Sequence, residues 1–92
     1  MVLQQLIQIA PTLGIRVGYA AAIAEAEGPE AGLAVLDPIA SDLVSHYQPY
    51  WAVRAHLLQG LGKTREASDA YDRAVGLAED AAVREFLLQK RG

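Results

Sequence analysis

The segment from Trp51 to Leu77 limits the possible folds of this chain more than any other. Trp51, Ala55 and Leu58 recur at helical spacing, Gly62 interrupts, and Ala67, Ala70, Tyr71, Ala74 and Leu77 resume the same spacing. Apolar residues three and four apart share one face of a helix. Alanines at i and i+3 let two helix axes approach closely, and a large ring beside them fills the remaining space. The segment is therefore expected to be two antiparallel helices joined by a tight turn, with Trp51 and Tyr71 in the core.

The rest of the chain carries the same kind of signal. Strand-type alternation is missing, and Ala, Leu, Gln, Glu and Arg, all good helix formers, dominate. A helix is expected over residues 2–9, where Leu3, Leu6, Ile7 and Ala10 share a face, with Pro11 ending it. A second is expected from about Ile15 to Glu27. Gly28-Pro29 is a break, because Gly suits a helix end and Pro the first turn of the next helix. A third helix then runs from Pro29 to Leu36 or Ala40, closed by Pro38, and a loop follows through Ser45 and His46. A fourth is expected from about Pro49 to Gly60, a fifth from Arg65 to Ala78 and a sixth from Ala81 to Lys90, with Glu79-Asp80 as its cap. The fold class is all-α, with about six helices.

An internal repeat supports this organisation. Glu30-Ala31-x-x-Ala34-Val35 and Glu66-Ala67-x-x-Ala70-Tyr71 share a pattern at an offset of 36 residues, close to the roughly 34-residue period of tetratricopeptide repeats. Pro38 stands where Ala74 stands in the second copy, so the first copy is degenerate. The expected architecture is a set of antiparallel hairpins stacked as a short tetratricopeptide-like right-handed solenoid, one domain over residues 1–92. It comprises a capping helix at 2–10, a degenerate repeat at about 15–40, a repeat at about 49–78 and a C-terminal capping helix at 81–90.

Composition excludes several functions. The chain has no cysteine, which removes disulfides and thiolate metal sites. No apolar run approaches the roughly 18 residues a membrane-spanning helix needs. A net charge of −3 argues against nonspecific nucleic-acid binding. The charge is uneven. Residues 1–46 hold Arg16 against Glu25, Glu27, Glu30, Asp37 and Asp42, whereas residues 47–92 hold seven bases and six acids.

No residue set makes a catalytic or cofactor site. Gly60-Leu61-Gly62-Lys63-Thr64 looks like the end of a phosphate-binding loop, but such a loop needs a glycine where Leu57 stands and a strand before it. It reads instead as a helix–helix turn. His46 and His56 fall in different elements without ligand spacing to an acid. Asp69 and Arg73 suit a surface i, i+4 ion pair. The reading is a non-enzymatic protein-binding scaffold. Its candidate partner contacts are Arg16, Tyr19, Arg54, His56 and Gln59, which point off the core stripes of the second and fourth helices.

Ala26-Glu27-Gly28-Pro29-Glu30-Ala31-Gly32-Leu33-Ala34-Val35-Leu36-Asp37 closely resembles a segment of bacterial RNA polymerase sigma factors of the extracytoplasmic-function type that carry a C-terminal helical-repeat extension. Arg54-Ala55-His56-Leu57-Leu58, Leu61-Gly62-Lys63, Glu66-Ala67, Ala70-Tyr71-Asp72-Arg73-Ala74 and Arg84-Glu85-Phe86-Leu87 follow the same family in order, and Ile9-Ala10-Pro11-Thr12 is similar to it as well. The family usually has Asn-Arg-Ala-Val near Gly18-Tyr19-Ala20-Ala21, so this chain departs there. The resemblance implies a cytoplasmic module that modulates transcription initiation through protein contacts. Its partner would be the polymerase core or the sigma domains that the family places before this extension. Those domains are longer than this chain, so the resemblance also implies a piece of a larger protein. The competing expectation is a stand-alone tetratricopeptide-like adaptor unrelated to transcription.

Overall fold

The computed structural model describes residues 11–92. The capping helix expected over 2–10 lies outside the described residues. Among those described there are six α-helices and no strand: α1 (Pro11–Glu27), α2 (Pro29–Leu36), α3 (Ser41–Val44), α4 (Gln48–Gly60), α5 (Thr64–Leu77) and α6 (Ala81–Arg91). The all-α expectation holds.

The boundaries follow from local chemistry. Gly28 takes φ 104°, a conformation that costs a residue with a Cβ. Its N–H bonds to Ala24 O at 2.8 Å, and Gly32 N–H reaches back to Gly28 O at 3.3 Å. One glycine thus ends α1 and precedes α2, with Pro29 as the first residue of the new helix. At the end of α4, Lys63 N–H bonds to Leu58 O and Gly62 N–H to Gln59 O, each at 3.0 Å. With Gly62 at φ 77°, this is a Schellman closure. The glycine-rich stretch is therefore the turn of a helical hairpin. Asp80 caps α6, its carboxylate accepting from Ala82 N–H at 2.8 Å.

Two expected features differ. The helix expected from Ile15 begins four residues earlier at Pro11, because a proline is as well placed in a first turn as it is after a helix end. The loop expected through Ser45 contains the single helical turn α3, too short to show a period.

Packing joins α1 to α2 and α4 to α5 as the two most extensive contacts, with α2 and α1 both touching α4 and α5 touching α6. The core comprises Val17 and Ala20 of α1, Leu33 and Leu36 of α2, Tyr50, Ala55, Leu57 and Leu58 of α4, and Ala67, Ala70, Tyr71 and Ala74 of α5. Ile39, Val44, Ala78 and Leu87 complete it. Among the described residues no polar or charged side chain is counted in this core.

Burial corrects the repeat register. Ala31 is only half-buried and Ala34 is exposed, whereas Gly32, Leu33 and Leu36 are buried. Buried positions instead pair at a separation of 35: Ala20 with Ala55, Gly32 with Ala67, Leu36 with Tyr71, and Ile39 with Ala74. The small residue of α2 that meets α1 is thus Gly32, and Ile39 rather than Pro38 takes the place of Ala74. A Cβ on Gly32 would lie 2.8 Å from Ala20 O, from Ala24 Cβ and from Leu57 Cδ1, so α1, α2 and α4 approach closely at this residue.

Candidate functional site

An open cavity of about 410 Å³ lies between α1 and α4, closed at one end by the start of α2. Ala21, Ala24 and Glu25 form the α1 wall, Pro29 the end, and Ala52, Val53, His56, Leu57 and Gly60 the α4 wall. The sequence explains the space. Alanine side chains on the facing helix surfaces are too short to fill the gap between them, and Gly60 contributes no side chain. Leu57 is buried, while Ala24, Ala52 and Val53 are partly buried and pack on the core, so the floor is continuous with the core. Glu25 and His56 are exposed and form the polar rim. A mostly apolar concavity with few polar groups is suited to an apolar side chain, with the rim selecting orientation.

A second cavity, of about 330 Å³, lies between α4 and α5 and is lined by Trp51, Arg54, Leu58, Glu66, Asp69, Ala70 and Arg73. Trp51, Arg54 and Arg73 of this lining are already engaged within the fold. Trp51 is half-buried rather than core. Its indole Nε1–H donates to Val44 O at 2.9 Å, and the Arg73 guanidinium lies 4.5 Å from its ring centroid, a cation–π arrangement. Arg73 also donates to Ser45 O at 3.3 Å. Arg73 thus turns to Trp51 and to the backbone after α3, and the Asp69–Arg73 ion pair expected from spacing does not form. The ion pairs among the described residues are Arg54–Asp37 at 2.9 Å and Arg91–Asp72 at 2.8 Å.

The five candidate contacts separate. His56 alone lines the α1–α4 cavity. Tyr19 is exposed on α1 and Arg16 is half-buried there, and neither reaches that cavity. Arg54 faces the second cavity and holds Asp37. Partial burial of its guanidinium is the largest single influence and works against the charge, but the hydrogen bond and charge of Asp37 together with Tyr50 outweigh it and hold its pKa above the ordinary value. Gln59 is a structural bridge: its amide donates to Lys90 O at 2.9 Å and accepts from the Tyr71 hydroxyl at 3.2 Å. Burial pushes the Tyr71 phenol up from its usual value. The sequence reading missed Ala21, Glu25, Ala52 and Val53. The available signal was the alanine-rich run from Ala20 to Ala26, which leaves one helix with few bulky side chains to cover its neighbour.

Among the described residues, no group of three or more His, Asp and Glu could hold a metal ion, and no helix is long and apolar enough to cross a membrane.

No family model matches the chain, and no solved structure matches it. An uncharacterized protein of Rhizobium meliloti (strain 1021) is 37% identical to this chain over 84 residues, which is 91% of this chain and 20% of the relative. The chain therefore spans about one fifth of the length of the curated relative it matches.

Proposed function

We propose that this chain is a non-catalytic docking module made of helical hairpins. The observation that carries this reading is the open, alanine-walled cavity between α1 and α4, the kind of groove that accepts a side chain from a partner helix or peptide. Stacking of the two hairpins as a right-handed, tetratricopeptide-like solenoid is part of the same proposal. The separation of 35 between buried small residues supports it.

In its fuller form the proposal makes the module the C-terminal extension of an extracytoplasmic-function-type sigma factor. There it would act in the bacterial cytoplasm to modulate transcription initiation through the polymerase core or the factor's own preceding domains. Two facts support this: the resemblance over Ala26–Asp37 and the later blocks, and a bacterial relative in which the matching stretch is one part of a much longer protein. The test is capture of purified core polymerase, and separately of sigma domains, by the immobilised chain. Retention of either one is expected. Retention of neither removes the sigma reading and leaves a helical adaptor of another system.

A further inference from the structure

We propose that the α1–α4 cavity takes a basic amphipathic helix, one large apolar side chain entering the cavity and a lysine or arginine one turn away meeting Glu25. The inference rests on the docking reading above and gives that docking a chemistry. Small side chains (Ala21, Ala24, Ala52) make a recess too wide for its own walls to fill, and a leucine or phenylalanine from outside supplies the missing contacts.

Charge selects the sign of the partner. Among the described residues the lining holds Glu25 and no lysine or arginine. Glu27 and Glu30, both exposed, flank the same α1–α2 corner on either side of Gly28-Pro29, and Pro29 is itself a wall. The base on α1, Arg16, stands nine positions before Glu25 on the helix, about 13 Å along the axis, beyond the screening length of roughly 8 Å at physiological salt. Arg54 is held by Asp37 and faces the other cavity. An acidic helix is therefore repelled at this mouth and a basic one is drawn to it. The exposed apolar face of α6 offers the opposite sign: Phe86 is exposed with Lys90 Nζ 5.6 Å from its ring centroid, so a basic helix has less reason to settle there.

The probe is a fluorescein-labelled Leu/Lys amphipathic helix about four turns long, with a Leu/Glu counterpart of the same pattern, titrated by anisotropy into the full chain. The Leu/Lys peptide is expected to bind at least tenfold more tightly than Leu/Glu, and to weaken at high salt. Ala21→Leu, which fills the cavity from a half-buried position, and Glu25→Lys, at an exposed one, are each expected to weaken it roughly tenfold. Amide shift changes should gather at Ala21, Ala52 and His56. Equal binding of the two peptides, unchanged affinity in Glu25→Lys with its fold intact by circular dichroism, or shifts gathered at Val83 and Phe86 overturns the proposal. So does self-association of the chain through Ala21 and His56. If both variants still capture polymerase or sigma domains as the wild type does, this inference fails and the sigma reading stands, with docking away from this cavity. If the peptide behaves as expected and neither partner is captured, the sigma reading fails and the cavity chemistry stands.

Discussion

Gly32 and Gly18 both sit inside helices, yet a methyl group added to each should act in opposite directions. Alanine is favoured over glycine in a helix interior by about 1 kcal/mol. At Gly18 a Cβ meets nothing within 4 Å, so Gly18→Ala should raise stability by about 0.5–1 kcal/mol. At Gly32 the new atom would lie 2.8 Å from the backbone oxygen of Ala20, which cannot swing aside as a flexible side chain can. Overpacking costs about 1–3 kcal/mol, so Gly32→Ala should lower the urea midpoint while Gly18→Ala raises it. Equal shifts of the same sign would mean that α1 and α2 do not cross at Gly32. Tyr71 gives a pH-dependent case. Its usual pKa of 10.0 is raised by burial in the folded chain, so above that value the folded state holds a proton that the unfolded state has released. Its contribution is complete below about pH 10 and is lost as pH rises through the higher folded value. Tyr71→Phe should cost about 1 kcal/mol near neutrality, through the lost hydrogen bond to Gln59, and should flatten the loss of stability at alkaline pH. Denaturant midpoints at about pH 8 and about pH 11 check both effects.

At the scale of elements, α3 depends on neighbours more than on itself. A four-residue helix cannot sustain its own nucleus, and its N-cap Ala40 makes no side-chain bond. Val44 anchors it in the core, Trp51 donates to the Val44 carbonyl, and Arg73 donates to Ser45 O. Trp51→Phe keeps a ring beneath Arg73 but removes the indole donor. Global stability should fall by about 1 kcal/mol, and amide exchange across residues 39–47 should accelerate more than in α4 or α5. Uniform acceleration would show that the indole bond holds no particular element. The same region shows what was legible beforehand. Ends marked by backbone chemistry, at Gly28-Pro29, Gly62 and Asp80, could be read because a positive φ or a carboxylate cap needs those residue types. The turn α3 could not, since four residues carry no period. Trp51 was placed in the core because helical spacing tells which face a side chain occupies and not how deep it sits; a polar edge with a carbonyl in reach lets it stop halfway. The cavity was harder still. Ala21, Ala52 and Val53 come from helices some thirty positions apart, and no single stretch of sequence announces what their approach leaves empty.

At the scale of the molecule, α4 is the element on which the hairpins meet, since it touches α1, α2 and α5. The sequence pattern sets an offset of 36 because alanines at 31 and 34 resemble those at 67 and 70, whereas buried positions pair at 35, with the buried glycine at 32 corresponding to Ala67. The second copy gives the stricter test of this architecture. Ala70 is buried at the α4–α5 contact, flanked by Ala67, Tyr71 and Ala74. Ala70→Glu forces a carboxylate into the α4–α5 contact, beside the cavity that Ala70 lines. The bases lining that cavity, Arg54 and Arg73, are already engaged, Arg54 by Asp37 and Arg73 by the Trp51 ring and Ser45 O. An unpaired buried charge costs several kcal/mol, comparable with the roughly 5–15 kcal/mol that holds a typical domain folded. Disruption here should spread, because α5 fixes α4 and α4 fixes the other hairpin. The expected result is a chain without a cooperative thermal transition, whereas Asp69→Glu, one position away on the exposed side, should melt as the parent does. A sharp, unshifted transition in Ala70→Glu would place residue 70 in water and undo the packing of α4 on α5.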